Sequence, residues 1–248
     1  MEHPTDRTSH SDRFPWVTRR QMPARVAGSV IERFEQMTDL SSTVSDVLDE
    51  MGIVGAVGSS RLRPSLAGGR VIGTAITVRN VEQRRSAFAA VTDREWKMAE
   101  ILAVADAAPG DVLLIQGVHA TSNMGGLLAT VAKREGVIGA VVDGGVRDLG
   151  HSRELGLPIW SADVSPITGK WRCVTEEING NVNVAGLTAS AGDLVVADDT
   201  GVCIIPRDRV EAVLARCEVI AQHEAQAEAA IEAGVPLPEL IEQLYGPK

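Results

Sequence analysis

Residues 123–150, NMGGLLATVAKREGVIGAVVDGGVRDLG, concentrate the side chains and spacings most able to do chemistry. Gly125 and Gly126 open a run with helical periodicity. The first N–H groups of a helix have no intrahelical acceptor and lie at the positive end of its dipole, so a glycine pair there can hold a carboxylate or phosphate. The same pair also suits a tight turn or close packing. Arg147 and Asp148 follow an apolar run and a second glycine pair, at the position where open α/β sheets gather ligands. Asp148 has the hard oxygen donors that a divalent cation takes, and Arg147 the fork that pairs with a carboxylate or a developing oxyanion. An equally simple reading makes Asp148 the N-cap of the helix LGHSREL and leaves Arg147 solvated.

Two further positions bear on that site. His119, in the loop GVHATSN just ahead of the glycine-led helix, is the best placed of the five histidines; His151 and His223 read as helix-surface residues. In the long C-terminal helix, Val210, Leu214, Cys217, Ala221, Glu224, Glu228 and Ile231 trace one stripe. It turns acidic after Ala221, where the helix leaves the core or where Glu224 reaches a polar site on a neighbouring subunit. No GxSxG, Walker A, HExxH or strand-linked GxGxxG pattern occurs, which leaves a nucleophilic hydrolase or a dinucleotide enzyme without support.

The elements that must position these residues alternate. Helices are expected over 24–37 and 41–51, the second with Thr43 and Asp46 as a capping pair and Gly52 as its stop. A strand over 69–79 with a kink at Gly73 precedes one helix over about 86–106 and the strand DVLLIQ. A helix over 124–134, the buried strand VIGAVVD (137–143), a turn at Gly144-Gly145, a helix near 148–155 and the strand LPIWSAD complete an α/β core with parallel pairing. Beyond Pro166, turn signals separate β-rich runs that join or cover this sheet. A helix over about 207–233 and a short one reaching Tyr245 close the chain. Three stretches result: an N-terminal extension at 1–40, an α/β domain at 41–234, and a terminal helix at 235–248.

Composition narrows the function. Among 248 residues, Lys+Arg 24 against Asp+Glu 33 gives a net charge of −9, and aromatic residues make up 3%. Nucleic-acid binding draws on Lys and Arg at phosphates and on stacking aromatics, so neither DNA nor RNA is an expected partner. Three cysteines without CxxC spacing fit a reducing compartment. No apolar run is long enough to span a membrane, and the polar N-terminus has no apolar core of a secretory signal, so a cytoplasmic protein is expected.

Three segments, SDVLDEMG (45–52), GGLLATVAKREGVIGAVVDGGVRD (125–148) and NVNVAGLTASAGDLVVADDTGVCIIP (181–206), resemble the RraA-like family, over about residues 40–234. That family holds class II 4-hydroxy-4-methyl-2-oxoglutarate / 4-carboxy-4-hydroxy-2-oxoadipate aldolases, which also decarboxylate oxaloacetate, and the non-catalytic regulator of ribonuclease activity. The resemblance implies a swivelling β/β/α sandwich, assembled as a homotrimer or a dimer of trimers. It implies Mg²⁺ or Mn²⁺ held by Asp148, with Arg147 on the pyruvyl group of a 2-oxo acid. The backbone amides of Gly125, Gly126, Leu127 and Leu128, with Asn123 beside them, would bind the substrate, and a neighbour's Glu224 would approach the metal waters. The regulator typically carries Gln after the motif arginine, so Asp148 favours the metal enzymes. One departure stands out: the aldolases place a proton-transferring Asp where this chain has Gly126. Either oxaloacetate decarboxylation, which needs no such base, outpaces aldol cleavage, or His119 or Glu224 supplies the base.

Overall fold

The computed structural model describes residues 13–245; His3, His10 and most of the expected N-terminal arm lie outside the described residues. Its helices are α1 (Gly28–Glu35), α2 (Leu40–Glu50), α3 (Ala87–Thr92), α4 (Ile101–Ala105), α5 (Gly126–Arg134), α6 (Leu149–Glu154), α7 (Val210–Glu232) and α8 (Leu237–Tyr245). The strands up to the middle of the chain are β1 (Thr18–Arg19), β2 (Ala56–Gly58), β3 (Arg63–Pro64), β4 (Val71–Glu82), β5 (Asp111–Gln116), β6 (Ser122–Met124), β7 (Gly139–Val146) and β8 (Ile159–Val164). Those that follow are β9 (Cys173–Ile178), β10 (Asn181–Val184), β11 (Leu187–Ser190), β12 (Leu194–Ala197) and β13 (Gly201–Ile205).

Strands β4, β5, β7 and β8 pair in parallel. Their apolar runs are buried on both faces, as a parallel sheet covered by crossovers requires. The full sheet has eleven strands, ordered β2-β13-β12-β4-β5-β7-β8-β3, with β6 attached to β7 and β9 to β4; β10 and β11 form a separate hairpin. The β-rich runs after Pro166 therefore both extend the sheet and cover it. One core cluster packs α4 and α5 against β4, β5 and β7, a second lies under the β10–β11 hairpin, and a third joins α1, α2 and α7 to β12 and β13. The N-terminal segment docks on its own domain: Arg19 pairs with Asp106 at 2.7 Å and Arg25 with the buried Asp111 at 2.8 Å.

Several expectations are corrected. Residues 86–106 are two short helices, because 93–100 leave the helical path: Lys97 bridges to Val174 and Ala99 N–H donates to Thr175 Oγ1 at 2.8 Å. Tertiary hydrogen bonds there outweigh local helix preference. Thr43 is buried inside α2 and caps nothing; the N-cap is Asp39, in the left-handed region at φ 43°. Gly52 does end α2, at φ 67°. β4 runs through Gly73 as one strand; the glycine is needed for close approach, because a Cβ there would lie 2.2 Å from Gly110 O. Gly144 and Gly145 are not a turn but the last part of β7, where Cβ atoms would strike Asn123 Nδ2 at 2.5 Å and Thr121 O at 2.4 Å. The pair lets the loop 117–123 lie directly on the strand.

Candidate active site

β6 pairs with β7 at Gly145 and Val146, and Arg147 N–H donates to Met124 O at 3.0 Å. The two chain segments thus leave the sheet side by side, one into α5 through Gly125 and the other into α6 through Arg147 and Asp148. Gly125 is the N-cap of α5 and offers no side-chain cap. A Cβ on Gly125 would sit 3.0 Å from both Arg147 Nε and Asp148 Oδ2, so the glycine is what permits the contact.

Asp148 takes the N-cap position of α6 without capping it. Its backbone is left-handed (φ 60°, ψ 36°), and no side-chain hydrogen bond to its own helix forms. Instead Oδ2 accepts from Gly126 N–H at 2.9 Å, and Arg147 Nε lies 3.6 Å away. Both side chains are near half-exposed, 42% for Arg147 and 49% for Asp148. A non-glycine residue in this region costs roughly 1–2 kcal/mol, and such residues cluster at functional sites. Oδ1 of Asp148 and the N–H groups of Leu127 and Leu128 have no hydrogen-bond partner among the described residues, and the Leu127 side chain is exposed. A carboxylate acceptor, a guanidinium and two open amides therefore converge at one helix start.

His151 joins them. On α6, its Nε2 lies 2.8 Å from Thr130 Oγ1, which donates to Gly126 O at 2.9 Å, and a Cβ on Gly126 would meet His151 Cδ2 at 3.2 Å. Sequence reasoning set this residue aside, because only the packing of α5 on α6 brings 151 to 126.

The remaining candidates lie elsewhere in the chain. Asn123 is fully buried, and its amide is consumed in the loop: Nδ2 donates to Val118 O (2.8 Å) and Thr121 O (2.9 Å), and Oδ1 accepts from Val118 N–H at 2.9 Å. It positions the loop and does not face a ligand, which corrects its place in the substrate-binding set. His119 is held between Asp163 (Nδ1, 3.1 Å) and Asp143 (Nε2, 3.4 Å), beside a cleft lined by Glu82, Arg85, Ser86 and Arg172. The Ala120 amide, then the His119 ring, hold the Asp163 carboxyl below its ordinary range. No hydrogen bond or ion pair joins His119 to Arg147 or Asp148 among the described residues. Glu224 lines a cleft with Asp39, Thr43 and Asp46, where α7 passes the start of α2. All three cysteines are buried, and burial pushes each thiol up to about 12, which removes a thiolate nucleophile.

Among the described residues no group of three or more His, Cys, Asp or Glu could cage a metal. The donor set instead fits a hard cation held by one half-exposed carboxylate, with water and substrate oxygens completing its shell, as Mg²⁺ and Mn²⁺ accept.

Comparison with known proteins places the chain in a family. Residues 41–204 match the profile of the RraA-like family, described as Aldolase/RraA, and the chain belongs to that family. It is 29% identical over 197 residues to a Halalkalibacterium halodurans protein named "Putative 4-hydroxy-4-methyl-2-oxoglutarate aldolase", covering 79% of this chain and 86% of that one. It is also 29% identical over 199 residues to Protein DlpA of Legionella pneumophila, but there it spans only 31% of the relative's length. Among solved structures it is similar to Streptomyces coelicolor RraAS2, an unusual member of the RNase ES inhibitor RraA protein family. That match has a TM-score of 0.72 and 29% identity, over 83% of this chain and 98% of that one. The fold is thus the mixed α/β RraA fold, and the family includes both aldolases and inhibitors.

Proposed function

We propose that the chain is a divalent-metal-dependent carbon–carbon lyase acting on a 2-oxo di- or tricarboxylic acid, by oxaloacetate decarboxylation, retro-aldol cleavage of 4-hydroxy-2-oxo acids, or both. The observation that carries this reading is Asp148. It sits in a strained backbone conformation, forgoes capping its own helix, and presents a half-exposed carboxylate beside Arg147 and the start of α5. Asp39 shares that backbone and also caps nothing; what sets Asp148 apart is that its carboxylate turns to the Gly126 amide beside Arg147 at the start of α5.

Asp148 would hold Mg²⁺ or Mn²⁺, which when bound supplies Lewis-acid polarisation of the 2-oxo group. Arg147 pairs with the substrate carboxylate and stabilises the negative charge that develops on the 2-oxo oxygen. The amides of Leu127 and Leu128 hold a carboxylate oxygen at the positive end of α5. The reading includes assembly as a homotrimer or dimer of trimers, in which a neighbour's Glu224 approaches the site; within one chain α7 carries it to α2 instead.

The likeness to RraAS2 supports a second reading, a binding regulator without catalysis. A single assay separates the two. Purified chain with Mg²⁺ or Mn²⁺ is expected to release pyruvate from oxaloacetate or from 4-hydroxy-4-methyl-2-oxoglutarate, EDTA is expected to stop it, and Asp148→Ala is expected to lose at least about a hundredfold. Pyruvate release that survives both EDTA and Asp148→Ala refutes the metal lyase. No release from either acid leaves the regulator.

A further inference from the structure

We propose that Glu100 is a buried proton switch for the candidate site: loss of its proton draws the Asn80 amide off Asn123 and loosens the loop 117–123 on β7. The switch stands apart from the lyase reading, and only its effect on turnover rests on that reading. Glu100 is 5% exposed, and Asn80 Nδ2 donates to its Oε1 at 3.0 Å. No ion pair reaches it among the described residues. A carboxyl taken out of water without a cation favours its neutral form, and burial pushes this one from 4.5 up to about 7. The same Asn80 nitrogen lies 3.3 Å from Asn123 Oδ1.

Backbone groups fix which way each amide faces. Asn123 Oδ1 accepts from Val118 N–H at 2.9 Å, while Nδ2 donates to Val118 O at 2.8 Å and Thr121 O at 2.9 Å, so this side chain cannot be turned over. The Asn80 atom facing that acceptor must then be the nitrogen. Its oxygen takes the Thr175 hydroxyl at 2.8 Å, and Thr175 Oγ1 in turn accepts from Ala99 N–H at 2.8 Å. The β4–β9 register shifts between Arg79 and Asn80, which sets Asn80 opposite Thr175. One nitrogen thus ties a titratable carboxyl to the residue that holds the loop.

Ionised, Glu100 is a buried charge with that side-chain donor. Charge-assisted hydrogen bonds are shorter and stronger than neutral ones, so Nδ2 moves toward Glu100 and the longer bond, to Asn123, is the one lost. Asn123 Oδ1 then keeps Val118 N–H and the weak Cys173 thiol at 3.8 Å. No neighbour offsets the charge. Cys173 on β9 is itself neutral, its thiol pushed up to about 12 by burial and then by Glu100. Neither Glu82 on β4 nor Arg172 beside Cys173 bonds to Glu100, and Lys97, on its own segment, is paired with Glu95 at 2.7 Å. The path to the site is short: Asn123 belongs to β6, and the carbonyl of the next residue, Met124, accepts from Arg147 N–H.

NMR of the full chain without metal tests the switch. The Glu100 carboxyl carbon, the Asn80 side-chain amide and Val118 N–H are expected to titrate together with a midpoint of about 7. Protection of Val118 N–H against hydrogen exchange, corrected for the intrinsic rate, is expected to fall at least about threefold between about pH 6 and about pH 8. Glu100→Gln keeps the acceptor and cannot ionise, so it is expected to hold the low-pH signals throughout; should it fold poorly, the wild-type titration alone shows whether the loop follows the carboxyl. With Mg²⁺, oxaloacetate turnover by the wild type relative to Glu100→Gln is expected to fall at least about threefold over the same range. A Glu100 carboxyl that titrates in the ordinary carboxylate range, loop signals that do not follow it, or the same loop titration in Glu100→Gln overturns the switch. A constant turnover ratio overturns its hold on the site. A chain inactive on oxaloacetate at every pH counts against the lyase reading, and the NMR titration still decides the switch.

Discussion

The left-handed backbone at Asp148 makes a prediction in which stability and activity part company. Alanine at φ 60° and ψ 36° pays roughly 1–2 kcal/mol for a Cβ in the left-handed region, with no short polar side chain to offset it. It also loses the exposed hydrogen bond from Gly126 N–H, a charged-acceptor bond of about 1 kcal/mol at this exposure. Glycine loses the same bond but not the backbone cost, while paying about 0.5–1 kcal/mol more in unfolded-chain entropy. Asp148→Ala should therefore unfold about 0.5–1 kcal/mol more readily than Asp148→Gly, about 1–4 °C in Tm for a chain of this length. Both variants should lack metal-dependent pyruvate release. Urea unfolding of the three proteins, each with an activity measurement, decides the matter. If the glycine variant is the less stable of the two, the backbone at Asp148 is not strained and the site loses its main structural argument. If either variant keeps full activity, Asp148 is only a loop residue.

Two other predictions concern the frame. Glu100 is buried beside Asn80, whose Nδ2 donates to it at 3.0 Å, and burial pushes its carboxyl from 4.5 up to about 7. The folded state holds this proton more tightly than the unfolded chain. The contribution is therefore complete below about 4.5 and lost as pH rises through about 7, a fall of about 3 kcal/mol that Glu100→Gln should abolish; urea titrations at about pH 5 and about pH 8 showing equal slopes in both proteins refute it. Gly145→Ala places a Cβ 2.4 Å from Thr121 O and should cost about 1–3 kcal/mol by displacing the loop 117–123, whereas Gly150→Ala, with nothing within 4 Å, should stabilise by about 0.5–1 kcal/mol. Thermal unfolding that moves both glycine variants the same way refutes the packing account.

What the sequence made legible follows its local signals. DVLLIQ and the run before Asp143 read as buried strands because a parallel sheet buries both faces, and they are β5 and the first part of β7. Gly52 and Gly234 read as helix stops and sit at φ 67° and 75°. The pairing of Arg147 with the glycine-led helix was legible too, since strand-then-glycine patterns place ligands at strand ends. What stayed hidden depends on contacts between distant segments. The break between α3 and α4 is decided by Thr175, some eighty residues on, and the role of Asn123 by a loop that folds back over it. His151 could not be tied to Gly126 because neither the spacing nor the helix period relates the two.

The two glycine pairs show why composition alone could not assign the site. Gly144 and Gly145 are excluded volume: they bring the loop 117–123 onto β7 and so fix where β6 delivers Gly125. Gly125 and Gly126 work in the opposite direction, clearing space for Asp148 and His151 to approach the start of α5. The bond from Gly126 N–H then anchors Oδ2 of Asp148 and leaves Oδ1 without a hydrogen-bond partner among the described residues, so under the proposed function a cation would meet a carboxylate already oriented. That orientation depends on the amide being spent on Asp148. Under the proposed function, a substrate carboxylate would then meet the amides of Leu127 and Leu128 rather than that of Gly126, one step farther along the helix start.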